Sequence, residues 1–210
     1  MNKRWLIKTP NPKYQKILSN SLNIHPVIAQ LLINRDITDI EQARNFLNAS
    51  ESQLHDPFLL KDMDKAVARI KKAQANGETI LIFGDYDVDG VTSSALLRRI
   101  LKRLGLNAIN YIPHRMDEGY GLNHAIVDFA TGQGIHLLIT VDCGINAFSE
   151  VDAINAAGMD VIIIDHHEPD GDRIPNAVAV IDPKRPDCAC PFKYFAAVGL
   201  VAKLAQALLG

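Results

Sequence analysis

Four short apolar runs, each running straight into an acid, constrain this chain more than any other feature. Thr79–Phe83 (TILIF) leads into Gly84-Asp85-Tyr86-Asp87-Val88-Asp89-Gly90, and His136–Val141 (HLLITV) into Asp142-Cys143-Gly144. Asp160–Ile164 (DVIII) leads into Asp165-His166-His167-Glu168, and Ala177–Ile181 (AVAVI) into Asp182-Pro183. Runs of this length, apolar throughout and rich in β-branched residues, suit strands buried on both faces. Asn107–Ile112 is a further strand candidate. Between the runs, 91–104, 123–131, 147–157 and 195–209 place apolar residues at helical spacing, with Gly105 and Gly158 as stops. This alternation predicts an α/β fold: a mostly parallel, doubly wound sheet with helices on both faces.

Residues 1–76 read differently. Ile24–Asn34, Asp39–Leu47 and Asp62–Asn76 carry helical periodicity, and Asn48–Leu60 reads mostly as connection. The sequence therefore predicts a small helical N-terminal region over 1–76 and the α/β domain over 77–210. A net charge of -2 leaves no global basic footprint, so contact with nucleic acid would rest on a local patch. The start, MNKRWLIKTP, has no long apolar stretch and predicts no signal peptide, and the apolar runs are too short for a membrane span. Three cysteines, Cys143, Cys188 and Cys190, without paired zinc-site spacing, point to a reducing cytoplasm and ordinary thiols.

The acids carry the chemistry. In a doubly wound sheet, ligands bind outside the carboxyl ends of the strands. Here that edge receives acids from four strands and two imidazoles from one. A lone aspartate after a strand is usually a turn former or helix cap, and Asp182 before Pro183 keeps that reading. The combination of Asp87, Asp89, Asp142, Asp165, His166 and His167 calls for a divalent cation or a pair of them, because crowded carboxylates repel. Carboxylates with imidazoles suit Mn2+, and Mg2+ less well. Thr92, Ser93 and Ser94 in the first turn of the next helix are compatible with capping and with phosphate contact alike.

The string Phe83-Gly84-Asp85-Tyr86-Asp87-Val88-Asp89-Gly90-Val91-Thr92-Ser93, then Val141-Asp142-Cys143-Gly144, then Asp165-His166-His167, resembles the DHH phosphoesterase superfamily. Leu54–Leu60 (LHDPFLL) and Ile112–Leu122 (IPHRMDEGYGL) are similar to its single-strand-specific 5′-to-3′ DNA exonucleases. The resemblance implies hydrolysis of phosphodiester bonds in single-stranded DNA, in recombination and repair, with Mn2+ or Mg2+ in a two-metal site. It implies Asp87 and Asp89 as metal ligands, Asp142 as the acid bridging two ions, and His166 as a ligand of the second. It places His167 near the scissile phosphate, with Asp165 orienting beside it. Arg115 would fork onto a 5′-terminal phosphate, the alternative being a salt bridge to Asp117 or Glu118. Tyr120 would stack on a base, or be buried beside its glycines. Ser93 joins these as a substrate-binding candidate.

The sequence departs from the pattern in two places. Small-substrate relatives carry a histidine four residues before the first ligand aspartate; that position is Phe83, which leaves Asp85 or water to complete the shell. The resemblance also implies that full-length exonucleases continue past Gly210 with a further ligand aspartate, a second lobe (DHHA1) and an OB-like DNA-binding module. Two other functions compete: a small-substrate phosphoesterase acting on oligonucleotides or nucleotide phosphates, and a non-catalytic metal- or nucleic-acid-binding module.

Overall fold

The computed structural model describes residues 8–114, 116, 119 and 121–210. The chain divides into two compact units, the boundary falling between Leu54 and His55. The first holds α1 (Pro12–Leu22), α2 (Pro26–Ile33) and α3 (Ile40–Leu47) around a small core of Leu18, Ala29, Leu32, Ile37 and Ala43. Helix α1 is not among the helices expected from sequence, and prolines such as Pro10 and Pro12 break a helix interior. Pro12 instead sits in the first turn, where its missing N–H costs nothing, and Asn11 caps the helix by accepting from Tyr14 N. The connection expected over 48–60 contains two short 3-10 turns, Glu51–Gln53 and Pro57–Leu59.

The second unit begins before the change of pattern at residue 77, which marks only the switch from helix to strand. Helix α4 (Met63–Asn76) buries Met63, Ala66, Val67, Ile70 and Ala73 in the same core as the sheet. That sheet has five strands: β1 (Thr79–Gly84), β2 (Asn107–Tyr111), β3 (Leu137–Val141), β4 (Asp160–Ile164) and β5 (Ala179–Ile181). Their order is β2-β1-β3-β4-β5, and every pairing is parallel. Alternate residues face opposite sides. Ile80, Ile82, Ile139, Ile162 and Ile181 pack with α4, α5 (Val88–Arg103) and α8 (Ala197–Leu209). Leu81, Phe83, Leu138, Val161 and Val180 pack with α6 (Ala125–Gly132) and α7 (Phe148–Ala156). The fold is the expected doubly wound α/β sheet, covered on both faces.

This strand order fixes where a ligand can bind. The chain leaves β1 toward β2 on one side and returns to place β3 on the other. The connections therefore part above the β1/β3 pair and open a crevice at their carboxyl ends. The turns carrying Asp85, Asp87 and Asp142 meet there. No described helix is long and apolar enough to cross a membrane.

Candidate metal centre

The hydrogen-bond ladder itself delivers two of the acids. Asp142 N donates to Ile164 O at 2.9 Å and Asp165 N to Ile181 O at 3.1 Å, one rung beyond the regular strands. Asp142 then turns the chain with φ of 65°, a left-handed conformation that costs a non-glycine residue of order 1 kcal/mol. Gly144 completes the turn at φ 112°, where an added Cβ would lie 2.8 Å from Thr140 Oγ1. After β1, Asp87 caps α5 by accepting from Gly90 N at 3.0 Å. Helix α5 thus starts at Val88, earlier than its apolar spacing suggests. Gly90 is required because a Cβ there would sit 2.4 Å from Asp85 O.

Two groups of donor atoms result, each with its members within 4.8 Å of one another: Asp85, Asp87 and Asp142, and Asp142, His166 and His167. Asp142 belongs to both. Its Oδ1 lies 3.0 Å from His166 Nε2, and Asp89 Oδ2 lies 3.6 Å from the same nitrogen. Burial, with the negative charges of Asp89 and Asp87 beside it, pushes the Asp142 carboxyl up to about 8. Asp87 goes the other way, held down first by its bond from Gly90 N. A buried acid that resists ionising in a ring of acids is what a cation would relieve. The oxygen and imidazole donors fit Mn2+, and fit Mg2+ through the acids.

Asp165 has a different task. It is buried, which opposes its charge, yet bonds from the His167 ring and the Ile145 and His166 amides hold its carboxyl below the usual range. Its Oδ1 lies 2.7 Å from His167 Nδ1 and its Oδ2 accepts from Ile145 N at 2.9 Å. That pairing raises the affinity of His167 for a proton. Beside them opens a cavity of about 380 Å³ lined by Leu122, Gly144, Ile145, Asn146, Glu150 and His167, among others.

The structure thus brings together Asp85, Asp87, Asp142, His166 and His167, with Asp165 bracing the last. Asp89 does more than its sequence position suggests. Its two oxygens accept from Ala197 N at 2.7 Å and Val198 N at 2.9 Å, capping α8, whose own N-cap residue, Ala196, has no side chain to do so. Ser93, in the second turn of α5, is fully buried. Arg115 and Tyr120 lie outside the described residues. Asp182 forms the expected turn through Lys184 N at 2.7 Å. Nothing in its local sequence signals its total burial, which pushes its carboxyl up to about 7. Sequence reasoning also passes over Asn146, which bridges two loops of the site and carries no charge or periodicity to mark it.

The fold is thus a doubly wound α/β domain with a cluster of acids and imidazoles at its switch point. Residues 79–209 match the DHH family, N-terminal domain, and the chain belongs to the DHH family. It is 44% identical over 207 residues to the single-stranded-DNA-specific exonuclease RecJ of Bacillus subtilis (strain 168), covering 99% of this chain and 26% of that protein. The corresponding RecJ of Escherichia coli (strain K12) is 41% identical over 150 residues, 71% of this chain and 26% of that one. The crystal structure of RecJ in complex with Mn2+ from Thermus thermophilus aligns with a TM-score of 0.74 at 28% identity, over 96% of this chain and 28% of that one. Another, of exonuclease RecJ bound to manganese, gives a TM-score of 0.64 at 37% identity over 71% of this chain and 37% of that one. The chain spans about a quarter of the length of these curated relatives.

Proposed function

We propose that this chain carries the metal centre of an exonuclease that hydrolyses phosphodiester bonds of single-stranded DNA, working from a 5′-phosphorylated end. One observation carries the reading: Asp142 is shared between two donor groups at the switch point, the arrangement a pair of ions needs. Asp85, Asp87 and Asp142 would hold one ion, and Asp142 and His166 the other, with Asp89 Oδ2 3.6 Å from His166 Nε2 beside it and Mn2+ or Mg2+ as the metal. Bound ions would supply a hydroxide near neutral pH and neutralise charge on the phosphate. With Nδ1 engaged by Asp165, His167 meets a phosphate through Nε2, and its raised proton affinity suits it to donate there. The relatives named as single-stranded-DNA exonucleases support DNA as the substrate. The 5′-phosphate preference rests on Arg115 and the stacking role on Tyr120, both assigned from sequence. The three free, buried cysteines support a reducing cytoplasm.

The cavity beside His167 favours one alternative, because about 380 Å³ suffices for a single nucleotide. A small-substrate phosphoesterase would take its whole substrate there, and an exonuclease its terminal nucleotide. Turnover with Mn2+ on a 5′-phosphorylated single strand and on a dinucleotide separates the two. Faster cleavage of the strand is the expected result, and faster cleavage of the dinucleotide would overturn the exonuclease reading. Absence of both Mn2+ binding and cleavage would leave a non-catalytic module.

A further inference from the structure

The two imidazoles sit on a loop, 165–170, whose ladder bonding ends with that of Asp165 N to Ile181 O. Asp165 holds its beginning, accepting from His166 N at 2.7 Å and His167 N at 3.2 Å through Oδ1. Its far end is held by one side chain from another loop. Asn146 Nδ2 donates to Glu168 O at 3.0 Å, and Asn146 Oδ1 accepts from Asp170 N at 2.8 Å. A planar amide that fills both halves with backbone partners on one loop imitates a missing strand. Lys184 closes on the same loop, its Nζ 3.0 Å from Glu168 Oε1, but that carboxylate is largely exposed and the pair is weak.

We propose that Asn146 is a positioning residue: through its two bonds to Glu168 and Asp170 it fixes the loop that presents His167 to the scissile phosphate. The claim rests on the phosphoesterase reading for the role of His167, but not for the clamp. Asn146 lines the cavity beside His167, yet its amide oxygen and one N–H are already committed, so it acts through the loop and not as a substrate ligand. The turn at Asp142 and Gly144 places Asn146 there, so the loop carrying the bridging acid also steadies the loop carrying the imidazoles.

Nuclear magnetic resonance of the chain tests this without metal or substrate. In Asn146→Ala, the Asp170 amide should exchange at least about tenfold faster, and the His167 ring signals should shift or broaden. Asn146→Asp keeps an acceptor for Asp170 N and should restore protection of that amide and much of the His167 signal. Unchanged His167 signals in Asn146→Ala, or no recovery in Asn146→Asp, would overturn the proposal. Asn146 makes no contribution to the hydrophobic core, so both variants should fold. In the turnover assay, Asn146→Ala should lower kcat about tenfold with KM within about twofold. A normal kcat alongside disturbed His167 signals would also overturn the positioning role. If the parent chain cleaves nothing, the exonuclease reading falls, while the spectra still decide whether the clamp exists.

Discussion

At the amino end of the sheet, the buried Arg69 guanidinium meets Glu78 at 2.7 Å, the Asp160 carboxylate, and the His136 carbonyl at 3.2 Å. One cation there ties together the starts of β1, β3 and β4. At the carboxyl end of the same strands, Asp85, Asp142, Asp165 and Asp182 are buried, and two of them resist ionising. The strands and hydrophobic layers are shared, so packing does not explain the contrast. The amino end compensates its charge inside the protein, as a structural site should. The carboxyl end leaves compensation to something that binds. Backbone strain follows the same division: the left-handed aspartate of the strand-end turns is Asp142.

Breaking the compensated end should have the largest effect. Arg69→Met leaves Glu78, mostly buried, without its cation and with only the Asn76 amide at 2.9 Å, and should cost about 3 kcal/mol of unfolding free energy, read by urea titration. Mn2+ affinity should stay within about twofold, because the change lies a strand length from the site. A loss under about 1 kcal/mol would deny the amino end its structural role.

Removing the shared acid should do the reverse. Asp142→Asn should weaken Mn2+ binding at least about a hundredfold by calorimetry while leaving the apo fold as stable or more so. In the unaltered protein the carboxyl, raised to about 8, must release its proton for a cation to bind. Affinity should therefore climb up to about tenfold per pH unit below that value and level off above it. A flat profile, or tight binding by Asp142→Asn, would remove Asp142 from the bridging position.

How much of this contrast is legible in the sequence depends on the kind of interaction involved. Strands are legible because burial on both faces forces continuous apolar runs; Asp160–Ile164 has the same limits in sequence and structure. The acid-bearing edge is legible because parallel strands all deliver their following residues to one side, so acids after TILIF, HLLITV and DVIII must gather. The link from Arg69 to Asp160 spans 91 residues and joins ordinary surface-type side chains, so no local pattern marks it. The same holds for Asp89 capping α8 across 108 residues and for the bonds from Asn146. The full burial of Ser93 is not legible either. A hydroxyl near the start of a helix can face crevice or sheet, and only the packing of α5 on the sheet decides.

Asp182 offers the finest test of the uncompensated end, because it belongs to neither donor group and is held by a single amide. Burial, opposed only in part by the Lys184 amide and charge, raises its carboxyl from an ordinary 3.8 to about 7. In the unfolded chain it ionises near its ordinary value, whereas the folded protein keeps the proton until about pH 7. Between those values the folded state holds more protons than the unfolded one, so stability falls as pH rises and levels off above the folded value. Asp182→Asn removes the group that titrates without changing its shape. The variant should match the unaltered protein near pH 4 and exceed it by at least about 2 kcal/mol at pH 8, measured by thermal or urea unfolding without metal. Added Mn2+ should not erase that difference, since the ions would bind elsewhere at this edge. An equal gap at both pH values would mean that Asp182 is an ordinary turn former, with its charge already balanced as at the opposite end of the sheet.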